Sequence, residues 1–146
     1  MAGAPLNQTG IGITPMSVIE WIEAKANLKF TLDGCAQKHH ARLKRYITPE
    51  ENFLTTQRDF SNETVWLNPP YTAARKGAPG IADFIARAAQ IRLDYNAHFV
   101  LLLESNMTGT KYFTQYVGST PEDRARLNTE IYFYPKRINF LNLRNT

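Results

Sequence analysis

The sequence is poor in the features that mark secreted and membrane proteins. It has one cysteine, Cys35, in 146 residues, which excludes an internal disulfide framework and suits a reducing compartment. No apolar run approaches the roughly 20 residues that a membrane-spanning helix needs, and no signal-peptide pattern opens the chain. We therefore expect a cytoplasmic protein with no membrane partner.

The chain also lacks the length for two typical domains. Its 146 residues, 43% of them hydrophobic, suffice for one core. We expect residues 1–13, which hold three glycines and little charge, to form a flexible lead-in, and residues 14–146 to form a single domain. The net charge of +4 favours an anionic partner, although proteins that bind nothing charged also carry such a small excess.

The most informative stretch is Trp66-Leu67-Asn68-Pro69-Pro70-Tyr71. Apolar residues predict the end of a buried strand, and two prolines force the chain out of the sheet into a rigid, exposed loop. In open α/β sheets ligands bind at this end of the strands. There the Asn68 amide oxygen and the Pro69 carbonyl can accept from one exocyclic amine, while Tyr71 stacks on its ring. This arrangement suits the methylation of a nitrogen on a planar base. The alternative without chemistry is an ordinary Pro-Pro turn after a core strand.

Apolar spacing and turn residues predict alternating helices and strands. The predicted helices are 14–27, capped by Thr14, 81–93 and 111–117. The predicted strands are 28–32, 64–67, 98–103, 130–134 and 138–143, and the charged stretch 118–128 is predicted to be a loop. The pattern predicts an α/β fold with a mostly parallel sheet, helices on both faces and a C-terminal antiparallel hairpin.

The order of these pieces resembles the Rossmann-like S-adenosylmethionine-dependent methyltransferases, specifically the phage-type DNA N6-adenine methyltransferases, often called Dam-like. The resemblance lies in Thr14-Pro15, Phe30-Thr31-Leu32-Asp33-Gly34-Cys35-Ala36, Arg45-Tyr46-Ile47-Thr48-Pro49-Glu50, Asp59-Phe60, Asn68-Pro69-Pro70-Tyr71 and Arg137-Ile138-Asn139-Phe140. It implies a minimal Rossmann-like methyltransferase fold, methylation of adenine N6 in DNA, and a location in the cytoplasm of a bacterial host.

The resemblance also implies roles for individual residues. The cofactor would be S-adenosyl-L-methionine, bound by Thr14, Pro15, Asp33, Gly34, Ala36, Asp59 and Phe60. Thr14 and Pro15 would contact its methionine end, and Asp59 and Phe60 its adenine. The target base would be held, with its N6 facing the methyl group, by Asn68, Pro69, Pro70 and Tyr71.

Two family features are missing, and they leave alternatives open. Only Gly34 stands where larger members carry a Gly-x-Gly turn, and the chain has no room for a separate target-recognition domain. DNA contacts would therefore come from Arg75 and Lys76 behind the signature, from 118–128, or from a second subunit of a homodimer. A methyltransferase acting on another planar amine, in RNA or a protein glutamine, and a non-catalytic DNA-binding module remain as alternative functions.

Residues 35–45 hold further candidates. Cys35, His39 and His40 offer three metal ligands with no fourth at a suitable spacing, so we expect no metal site. The basic residues of this stretch could contact phosphates or form a solvated face: Lys38, Arg42, Lys44 and Arg45.

Overall fold

The structure is a computed structural model and describes residues 13–69 and 79–140. The described strands are β1 (Leu32–Asp33), β2 (Thr64–Leu67) and β3 (His98–Leu101). The α-helices are α1 (Met16–Ala26), α2 (Ile81–Asp94) and α3 (Pro121–Leu127). A 3₁₀ helix, Ser105–Gly109, and a short π-helix, Phe113–Val117, lie between β3 and α3.

The described strands form one parallel sheet in the order β1, β2, β3. Leu32 lies opposite Val65, and Leu67 lies opposite Leu101. On the outer side of β1, Asp33 forms a parallel bridge with Tyr46. Because all strands run the same way, their carboxyl ends meet at one edge of the sheet. The expected parallel α/β architecture is confirmed.

The two faces of the sheet are covered by different helices. Side chains alternate along β2, so Val65 and Leu67 enter one core cluster and Trp66 another. The first cluster includes the α2 residues Phe84, Ala88 and Ile91. The second includes the α1 residues Val18, Ile19 and Ile22. Burying each large apolar side chain in these clusters contributes about 1.5–3 kcal/mol to stability. The expected helices on both faces of the sheet are confirmed.

Helix α1 begins differently from our expectation. Pro15 occupies the N-cap position with an extended ψ of 142°, and its carbonyl accepts from Val18 N at 3.1 Å. The hydroxyl of Thr14 makes no cap hydrogen bond. It accepts a hydrogen bond from the side chain of Asn68 instead. At the other end Asn27 adopts a left-handed conformation, with φ of 55°, so the predicted end of the helix is confirmed.

The predicted loop 118–128 is wrong, because α3 lies within it. Thr120 caps this helix by accepting from the amide of Asp123, and Pro121 stands at its first position. Glu122 and Asp123 also place negative charge at the helix amino end, where the dipole favours it. These local signals outweigh the polar composition that suggested a loop.

Two predicted β segments differ as well. The strand predicted at 28–32 is reduced to Leu32–Asp33. Residues 130–140 contain no strand, so the described residues do not show the C-terminal hairpin, and 141–143 lie outside them. No helix in the described ranges has the length and apolar character needed to cross a lipid bilayer.

Candidate active site

Three buried polar side chains lie at the carboxyl edge of the sheet. Asp33 ends β1, Asn68 follows β2, and Thr14 precedes α1; their exposed fractions are 3%, 4% and 2%. The amide nitrogen Nδ2 of Asn68 donates to Thr14 Oγ1 at 2.9 Å. Asn68, which we expected in an exposed loop, is therefore held inside the protein against the start of α1.

The loop after β1 wraps around the Asp33 carboxylate. Oδ2 accepts from the backbone amide of Arg42 at 3.0 Å, and Oδ1 accepts from that of Cys35 at 3.3 Å. Burial raises the pKa of Asp33 to about 6, because desolvation of the charged form outweighs these two hydrogen bonds and the nearby Arg42 charge. Asp33 therefore keeps its proton to a higher pH than an ordinary aspartate does.

Thr14, Asp33 and Asn68 share a small cavity with Ala36, Trp66 and Arg42. Its volume is about 20 Å³, which is room for about one water molecule. A nucleoside cofactor that binds here must therefore separate the walls as it enters.

A second, much larger space is also lined by Asn68. It is a groove of about 1300 Å³ between β3, α1, α2 and the segment 128–140. Pro69 and Glu104 line it near the carboxyl ends of β2 and β3. Asn68 lines both the small cavity and this groove.

Gly34 fits the loop closely against β2. Its amide donates to the carbonyl of Trp66 at 2.8 Å. A Cβ at this position would lie 2.8 Å from Leu67 Cδ1 and 3.1 Å from Val65 Cγ1. Glycine is therefore required by close packing on the β2 core, and the residue does not line the small cavity.

Asp59 and Phe60 do not join this group. Phe60 is fully buried in the α2-side core, with ring centroids 5.9 Å from Tyr95 and 6.2 Å from Phe53. Asp59 is exposed, and its carboxylate accepts from the amide of Ser61 at 2.8 Å. Neither residue lines the cavity, so their positions give no support to a role at a cofactor adenine.

The other predicted site residues divide into two groups. Pro15 is half-buried at the start of α1, and Ala36 and Pro69 are buried close to Asp33 and Asn68. Four lie outside the described residues: Pro70, Tyr71, Arg75 and Lys76.

Cys35 also lines the small cavity. Burial, reinforced by the charge of Asp33, raises the pKa of its thiol well above the ordinary value. The thiol therefore stays protonated at neutral pH, which does not suit a nucleophile. Within the described ranges, no three His, Cys, Asp or Glu side chains cluster closely enough to hold a metal ion.

A sequence profile of the family described as DNA N-6-adenine-methyltransferase (Dam) matches residues 6–144. The chain belongs to this family. The family resemblance seen in the sequence is thus confirmed over nearly the whole chain.

Two relatives are phage proteins, each named a DNA N-6-adenine-methyltransferase. The protein of Haemophilus phage HP1 is 35% identical over 130 residues, which are 88% of this chain and 65% of the relative. That of Escherichia phage T1 is 28% identical over 102 residues, 70% of this chain and 38% of the relative. The chain thus spans less than two thirds of either relative's length. No match was found among the solved structures.

Proposed function

We propose that this protein transfers a methyl group from S-adenosyl-L-methionine to N6 of adenine in DNA. One observation carries the proposal: Asn68 lines both the small cavity and the large groove. Methyl transfer between two bound molecules needs such a junction, because donor and acceptor must meet in line at one point.

The cofactor is assigned to the cavity side. The polar groups there include a carboxylate at Asp33, a hydroxyl at Thr14 and a guanidinium at Arg42. This donor and acceptor set fits a ligand with an ammonium, a carboxylate and ribose hydroxyls. When bound, S-adenosyl-L-methionine supplies a methyl group on a positively charged sulfur. Pro15 and Ala36 would shape the walls, and Gly34 would hold the loop in place.

The target adenine is assigned to the groove side. With Nδ2 bonded to Thr14, the amide oxygen Oδ1 is the other polar atom of the Asn68 side chain. This oxygen and the Pro69 carbonyl would accept from the N6 amine and stabilise positive charge as it develops there. Pro70 would keep the loop rigid, and Tyr71 would stack on the base.

The DNA backbone would be held from outside this junction. We assign phosphate contacts to Arg75 and Lys76, which follow the signature in sequence. A homodimer would supply further DNA contacts, and we assign the reaction to the cytoplasm of a bacterial host. Sedimentation of the protein with and without a DNA duplex would measure the dimer directly; a monomer in both conditions would contradict it.

The activity is tested by incubating the purified protein with tritiated-methyl S-adenosyl-L-methionine and unmethylated DNA. The DNA is then digested to nucleosides and chromatographed. We expect label in N6-methyldeoxyadenosine and none in parallel reactions with RNA or a glutamine-containing peptide. Label in RNA or peptide alone would assign the site to another planar amine. Absence of label, together with absence of cofactor binding by calorimetry, would favour the non-catalytic DNA-binding module.

A further inference from the structure

Arg42 lies in the small cavity and forms no salt bridge with the described part of the chain. Its side chain lines the cavity together with Thr14, Asp33 and Asn68. The guanidinium reaches two carbonyls at long distances, Thr14 O at 3.5 Å from Nη1 and His40 O at 3.4 Å from Nε. Among the described residues, no carboxylate oxygen lies within 4.0 Å of it.

The neighbouring basic residues differ from Arg42 in their ion pairing or their exposure to solvent. Arg45 is paired with Glu63, its Nη1 donating to Oε1 at 2.7 Å. Lys38 and Lys44 are exposed and remain hydrated. Arg42 is half-buried, with a backbone amide fixed to the Asp33 carboxylate at 3.0 Å. It is thus the cation of this segment that lines the cavity and forms no salt bridge within the described ranges.

A half-buried charge loses part of its hydration, and an anion beside it offsets that loss. The planar guanidinium fits a carboxylate particularly well, because two parallel N–H groups can donate to its two oxygens. The cavity beside Arg42 therefore suits an anionic group of the carboxylate type.

We propose that Arg42 binds the α-carboxylate of the methionine moiety of S-adenosyl-L-methionine. This inference rests on the proposed function. The carbonyl contact with Thr14 places the guanidinium beside Thr14, which the family resemblance puts, with Pro15, at the methionine end of the cofactor. Arg42 is thereby a cofactor-binding residue that the sequence left among several basic residues, with phosphate contact or a solvated face as the two alternatives.

The test compares two ligands that differ in this carboxylate alone. Calorimetry measures the affinity of S-adenosyl-L-methionine and of decarboxylated S-adenosyl-methionine for the wild type and for Arg42→Gln. The wild type should bind the decarboxylated ligand about 10- to 100-fold more weakly, the loss typical of a charge-assisted hydrogen bond. Arg42→Gln should lose a similar factor for S-adenosyl-L-methionine and less than about twofold for the decarboxylated ligand.

Two further variants separate this role from others. Lys44→Gln makes the same change in net charge on an exposed neighbour and should leave both affinities unchanged. Arg42→Lys keeps the charge without the two parallel donors and should retain an intermediate preference for the carboxylate. If Arg42→Gln does not fold, the wild type and Arg42→Lys still give the ligand comparison.

Each remaining outcome decides the question. Equal loss for both ligands in Arg42→Gln would show that the side chain only supports the fold, and would overturn the proposal. A wild type that binds both ligands equally well would overturn it too. A wild type that binds neither ligand would contradict the proposed function itself, and the inference with it.

Discussion

Asn68 and Thr14, which are 54 positions apart in the chain, are joined by a side-chain hydrogen bond of 2.9 Å. The bond ties the loop after β2 to the start of α1. In the proposed function it couples the residue that holds the target base to the wall of the cofactor cavity. A single bond of this kind contributes about 1 kcal/mol to stability, and it also fixes the orientation of the Asn68 amide.

This bond predicts different results for two substitutions of Thr14. Thr14→Val keeps the side-chain shape but removes the hydroxyl acceptor, so we expect lower methyl transfer and a loss of about 1–3 kcal/mol in the free energy of unfolding. Thr14→Ser keeps the hydroxyl and should stay close to the wild type in activity. Tritium transfer and urea unfolding measure the two effects. Equal activity in Val and Ser variants would show that the bond does not position Asn68.

Removal of Asn68 should affect catalysis directly. Asn68→Ala loses the amide oxygen proposed to accept from N6, and we expect a fall in kcat of about 100-fold or more. Because Asn68 is buried, some stability is lost as well, so circular dichroism must show that the variant is folded at the assay temperature. Asn106→Ala, at an exposed position in the 3₁₀ helix, is the matched control and should retain full activity. Activity in Asn68→Ala equal to that of the control would contradict the assignment.

Gly34 should be intolerant of even a methyl group. Gly34→Ala brings a Cβ within 2.8 Å of buried Leu67, and such overpacking costs about 1–3 kcal/mol. At Gly109 an added Cβ meets nothing within 4 Å, so Gly109→Ala should change the free energy of unfolding by less than about 0.5 kcal/mol. Chemical denaturation of both variants measures the difference. Equal stability would show that the contact between the loop and β2 is looser than the structure has it.

Asp33 should make stability depend on pH in an unusual direction. Its pKa is about 6 when folded and 3.8 as the ordinary value, so between these pH values the folded protein binds a proton that the unfolded chain has released. This contribution is fully present at low pH and is lost as the pH rises to about 6, about 3 kcal/mol in total. The stability of Asp33→Asn relative to the wild type should therefore rise between pH 4 and pH 7.

The control for this titration is Asp59→Asn. Hydrogen bonds with Ser61 lower the pKa of the exposed Asp59 carboxyl, the opposite direction from Asp33, so the stability of Asp59→Asn relative to the wild type should not rise across the same range. Urea unfolding at several pH values gives both curves. A flat curve for Asp33→Asn would mean that Asp33 is less desolvated than its position indicates.

The elements predicted best from the sequence were those with a long, unbroken pattern. The α2 stripe and the apolar run of β3 gave the right elements, and the β2 bounds were predicted without error. α3 was missed because it is short and polar, with no buried residue, although Thr120-Pro121 marks its start. The prediction gave more weight to the polar composition of 118–128 than to its capping residues, whereas the cap hydrogen bond determines the structure.

The site was predictable where residues follow strands and unpredictable where tertiary contacts decide. Asp33 and Asn68 could be placed together because parallel strands end at one edge. The bond from Asn68 to Thr14 could not be predicted, since Thr14 resembles a helix cap in sequence. The position of Phe60 could not be predicted either. An aromatic side chain can pack on a cofactor or in the hydrophobic core, and Phe60 lies in the core. The proposed role of Arg42 rests in part on Arg45 having Glu63 as its partner, which the basic run alone does not reveal.

Backbone hydrogen bonding at the outer edge of β3 differs from that at the outer edge of β1, and hydrogen–deuterium exchange should detect the difference. β1 is flanked by the segment around Tyr46, with the amide of Asp33 donating to Arg45 O at 3.0 Å. In β3 the amides of His98 and Leu102 donate to the β2 side, so by alternation those of Phe99 and Leu101 face the large groove. Hydrogen exchange should therefore be slow along β2 and alternate between fast and slow from one residue to the next along β3.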